Sequence, residues 1–81
     1  MEKVVQQKVN VFDFVSVRDY HDTLFHTWIR LSKDGSVAKD DEETFTEVGS
    51  RFIGFIRRNH RLPDYGEVLG WIPDIMGEQY R

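Results

Sequence analysis

Apolar positions recur along this chain at steps of three and four, the spacing that lines one face of a helix. Tyr20, Leu24, Trp28 and Leu31 form one such stripe, and Phe25 and Ile29 widen it. Phe45, Val48, Phe52 and Ile56 form a second stripe, and Tyr65, Val68, Leu69 and Ile72 a third. The pattern therefore predicts three helices. The first runs over 17–33, with Ser16 as cap, Asp19 at the capping-box position and Gly35 as the stop. The second opens at Asp40 and Asp41, with Asp40 and Glu43 as a capping box, and runs to Asn59. Pro63 then breaks the chain. Asp64, with Glu67 three residues on, opens the third helix, which Gly70 weakens and Pro73 ends. Residues 73–81 add at most one further turn, which returns Ile75 or Met76 to the core, because Gly77 opposes a longer helix.

The stretch 9–17 breaks this periodicity. Its alternation of β-branched and aromatic residues predicts a strand or extended segment, after a polar, frayed tail over 1–10. Nothing downstream reads as a second strand. The segment must pair with another copy, or tertiary packing must override its propensity and leave it extended or helical. The expected fold is mostly α: one domain in which a compact three- to four-helix bundle over 17–81 follows an extended or strand-like segment over 1–16.

Composition narrows the reading. At 81 residues, 40% hydrophobic and 31% charged, the chain can fold around a single core. Six Phe, three Tyr and two Trp make that core one of few, large side chains. The absence of cysteine removes disulfides and sulfur-ligated zinc. No apolar run reaches membrane-spanning length and the amino terminus lacks a signal-peptide pattern, so a cytoplasmic protein is expected. The net charge of −3 gives the whole molecule no attraction for nucleic acid. It is also the only feature that would favour an acidic mimic of nucleic acid.

Local chemistry is sparse. Arg51, Arg57, Arg58, His60 and Arg61 gather near the end of the second helix and are the candidate nucleic-acid contacts. The competing reading is that cations at this end complement the helix dipole. No Phe, Tyr or Trp lies between Arg57 and Arg61, which leaves base stacking with little support. His21 and His26 lie about 140° apart on a helix, and Asp22 with His26 makes only a pair, so no metal site is expected. The acids at 40–43 lack the ligand spacing of a calcium loop, and Gly66 and Gly70 lack the residues of a phosphate loop. No serine has a histidine at suggestive spacing. The expectation is no enzyme and no cofactor. Val11, Phe12, Phe14, Val15 and Trp71 are the candidate protein interface, since strand-prone edges and surplus aromatics seek partners.

Two stretches carry a resemblance to a known family. Phe25-His26-Thr27-Trp28-Ile29 resembles the aromatic-x-x-Trp-Leu opening of the YozE-like group of small bacterial and prophage proteins. The segment from Phe52 through Leu62-Pro63 to Asp64-Tyr65-Gly66-Glu67-Val68-Leu69-Gly70-Trp71-Ile72 is similar to that group's next helix, turn and helix. The resemblance implies a bundle like a sterile alpha motif domain and no catalytic residues. The chain departs from the group in its long lead-in, in Arg57-Arg58-Asn59-His60-Arg61 where the group is acidic, and in lacking an aromatic closing helix. The function expected is a small non-enzymatic protein-interaction module, self-associating in one version. A nucleic-acid-binding accessory protein of phage or bacterial origin is the alternative.

Overall fold

The first helix, α1, occupies Val17–Lys33, and its two ends are built by the residues the sequence marks. Ser16 Oγ accepts the Asp19 amide at 3.0 Å. At the other end Gly35 adopts φ +80°, and the Ser36 and Gly35 amides donate back to the Leu31 and Ser32 carbonyls. This is the paired bonding that closes a helix through a left-handed glycine. The computed structural model describes residues 10–79, so the expected frayed tail lies outside the described residues except for Asn10.

The second helix, α2, spans Glu42–Asn59 and starts one residue later than the Asp40–Glu43 box predicts. Asp41 is the cap because Thr44 offers it two donors: the amide at 3.1 Å and the hydroxyl at 2.7 Å. At its far end His60 takes the left-handed conformation with φ 61° and donates its amide to the Ile56 carbonyl. A side chain there costs more than glycine would. The His60 ring is partnered, stacking on Phe14 with centroids 4.0 Å apart.

The third helix, α3, spans Tyr65–Gln79. Its start is a reciprocal capping box: the Glu67 amide donates to Asp64 Oδ1 at 3.0 Å, and the Asp64 amide to Glu67 Oε1 at 2.9 Å. Its end corrects the sequence reading, since the helix continues through Pro73 and Gly77. Proline removes one backbone donor and crowds the preceding turn. Against that local cost, the continued helix buries Ile75 to 1% exposure in line with Val68 and Ile72.

The three helices enclose a core of Leu24, Trp28 and Leu31 from α1, Val48 and Phe52 from α2, and Val68, Ile72 and Ile75 from α3. Val37, in the loop between α1 and α2, completes it. That loop is held by the Trp28 indole, whose N–H donates to the Lys39 carbonyl at 3.0 Å. Among the described residues, no buried side-chain nitrogen or oxygen lacks a hydrogen-bond partner.

The strand expected over 9–17 does not form among the described residues. Val11–Asp13 make one turn of 3-10 helix, with Asn10 Oδ1 accepting the Phe12 amide at 3.0 Å. A lone strand would leave its backbone groups unpaired, whereas the turn gives the amides of Phe12, Asp13, Phe14 and Val15 acceptors within four residues and buries Val11.

Candidate interaction surface

The members of the basic cluster are divided among separate contacts. Arg61 makes a bidentate pair with Glu67, both contacts at 3.1 Å, and its guanidinium also lies over the Phe55 ring. Arg51 pairs with Glu47 one turn back, at 3.1 Å. His60 stacks on Phe14. Arg57 and Arg58 are exposed, and Arg57 is engaged within the chain. The tertiary fold brings an aromatic from another helix to two of these arginines: Trp71 from α3 lines a shallow recess with Ser50, Arg51, Gly54 and Arg58.

The carboxylates tied into these networks are held below their ordinary values. Glu67 is lowered first by its bond from the Arg61 side chain and then by the Asp64 amide. Asp41 is lowered first by the Thr44 hydroxyl and then by the Thr44 amide. A carboxylate whose folded-state pKa is depressed stabilises the fold above its unfolded value, and that contribution is lost as pH falls through the folded value. The ordinary values are 3.8 for Asp41 and 4.5 for Glu67. The denaturation midpoint should therefore hold from neutrality to about pH 5 and fall below it. Asp41→Asn with Glu67→Gln should flatten that acid limb; an unchanged limb would assign it to other carboxylates.

The five candidate interface residues differ in exposure. Val11 is buried within its own chain, while Phe12 and Phe14 are exposed and Val15 half-buried. Phe12 meets Tyr20 edge-on, and the Tyr20 hydroxyl donates to the Gly49 carbonyl on α2. Trp71 lies by Arg51 and, like Tyr20, meets Phe52 edge-on.

A second apolar surface was not expected. Phe25 and Ile29, which widen the first stripe in sequence, point to solvent with 53% and 45% of their surface exposed. Val17, at 50%, is exposed at the start of α1, on the side of Leu24 rather than of Phe25. The apolar arc of α1 covers about 180° from Tyr20 to Ile29, more than α2 and α3 can cover from one side. That width is the signal in the sequence that could have found this face.

Phe25 and Ile29 border an open groove of about 420 Å³ between α1 and the start of α2. Trp28 and Phe45 complete its apolar lining, and Lys39, Asp40, Asp41 and Glu42 form the rest. The lining is a connected aromatic set: Phe25 stacks on Phe45 at 5.7 Å, and Trp28 meets Phe45 edge-on at 5.2 Å. Among the described residues His, Asp and Glu form no group able to hold a metal ion, and no helix is long and apolar enough to cross a membrane.

The chain matches no family model, no curated protein and no solved structure.

Proposed function

We propose that this chain is a non-enzymatic protein-interaction module. The observation that carries the reading is the exposed pair Phe25 and Ile29, about 100° around α1 from the core residues Leu24 and Trp28. Large apolar side chains held together at a rigid surface are the ordinary material of protein interfaces. The YozE-like resemblance fits this reading, since that group brings no catalytic residues. Nucleic-acid binding draws less support, because Arg51 and Arg61 are already in ion pairs. A photo-crosslinking phenylalanine analogue placed at position 25 or 29 should yield discrete protein adducts in cells. The same analogue at position 74 should not. Equal labelling from all three positions would sink the reading. Salt-sensitive binding of labelled single-stranded DNA, lost in Arg58→Ala, would replace it with the nucleic-acid one.

A further inference from the structure

Resting on that reading, we infer that the groove between α1 and the start of α2 takes a basic amphipathic segment of a partner protein, one large apolar side chain flanked by lysine or arginine. Shape supplies the first part of the argument. The groove, at about 420 Å³, is the size of a small-ligand pocket and is open to solvent. It suits a side chain carried in on a backbone. Its lining is preformed, because the Trp28 indole is tied to the Lys39 carbonyl and Phe45 packs between Trp28 and Phe25. Little ordering is left to be done on binding, which favours affinity.

Charge supplies the second part. Asp40, Asp41 and Glu42 line the groove against a single cation, Lys39. The Asp41 carboxylate stays ionised, being bonded by the Thr44 hydroxyl and amide. This excess of negative charge around an apolar floor complements a cationic segment and repels an anionic one. It also argues against a second copy docking through the same face, because twofold pairing would set these acids against their own counterparts. An anionic membrane surface is disfavoured on the same ground.

The test uses the full chain and a labelled amphipathic peptide built only of leucine and lysine, with leucines at helical spacing. Binding is expected, and Phe25→Ala with Ile29→Ala should weaken it about tenfold or more. Asp40→Asn with Glu42→Gln should weaken it several-fold and reduce its salt dependence. The control pair Asp13→Asn with Asp74→Asn removes the same charge elsewhere and should leave binding unchanged. A peptide with glutamate in place of lysine should not bind. The inference is overturned by absent binding, by indifference to Phe25→Ala with Ile29→Ala, or by an equal loss in the control pair. A concentration-dependent mass abolished by Phe25→Ala would also overturn it, in favour of a second copy. If the peptide fails while crosslinks from positions 25 and 29 persist, the interaction reading stands and only the basic partner falls. If both fail, both readings fall.

Discussion

Phe52→Ala should lower the stability of this domain by about 3–5 kcal/mol. Phe52 is fully buried, and its ring meets Tyr20 and Trp71 edge-on, each at 6.1 Å between centroids. Among the described residues it is the largest fully buried side chain, and it packs where residues of all three helices converge. Removing it takes away apolar burial and two aromatic contacts and leaves a cavity that rigid helices fill only in part. For a chain of this length the total stability is about 4–12 kcal/mol, so the loss is a large share of the whole. The thermal midpoint should fall by roughly 15–30 °C. Urea denaturation followed by circular dichroism would measure it, with Phe25→Ala as the contrast. That exposed phenylalanine should change stability far less, although it is the same residue type on a helix of similar length. Equal losses at the two positions would contradict the division of α1 into a covered and an open face.

Ile75→Ala should cost about 2–4 kcal/mol, a result that separates two accounts of the end of the chain. If α3 stopped at Pro73, Ile75 would sit on a loosely held turn, and its truncation would cost within about 0.5 kcal/mol. In the structure Ile75 is 1% exposed and belongs to the same cluster as Trp28, Val48 and Phe52. Its neighbour Met76 is half-buried, with its sulfur 3.8 Å from the Thr44 hydroxyl at the start of α2. Asp74→Ala is the natural control, since Asp74 is an exposed residue of the same turn. Denaturant midpoints at unchanged slope would report stability alone. Equal midpoints for the two variants would contradict the burial of Ile75.

The residues that mark helix boundaries act within three or four positions of themselves, and most boundaries were legible for that reason. Ser16 holds the Asp19 amide, and Asp64 and Glu67 hold each other's amides, as the spacing of those residues predicts. The start of α2 was misread by one residue because two adjacent aspartates compete for it. Thr44, with a hydroxyl as well as an amide to give, selects Asp41. The return of Ile75 to the core was legible, whereas a helix unbroken through Pro73 and Gly77 was not. A proline's cost is local and visible, whereas the burial of Ile75 that offsets it depends on where the other helices lie.

The candidate surface divides in the same way. The arginines were found as a cluster in sequence, but Arg61 reaches across the Pro63 corner to Glu67, and only the folded corner brings those charges together. Trp71 joins Arg51 and Arg58 from a different helix. Val11 lies in a β-branched run that reads as strand, and the fold makes it a buried anchor on a 3-10 turn.

By itself, then, the sequence determined the helical class, the helix starts to within a residue, and the set of side chains from which the core is drawn. These follow from periodicity and from hydrogen bonds that close within a turn. The tertiary structure decided which part of each apolar arc is covered. It left Phe25 and Ile29 open beside the acids that start α2, because a helix of this bundle packs against neighbours on one side only, and periodicity records how wide an apolar face is without recording how much of it another helix will reach.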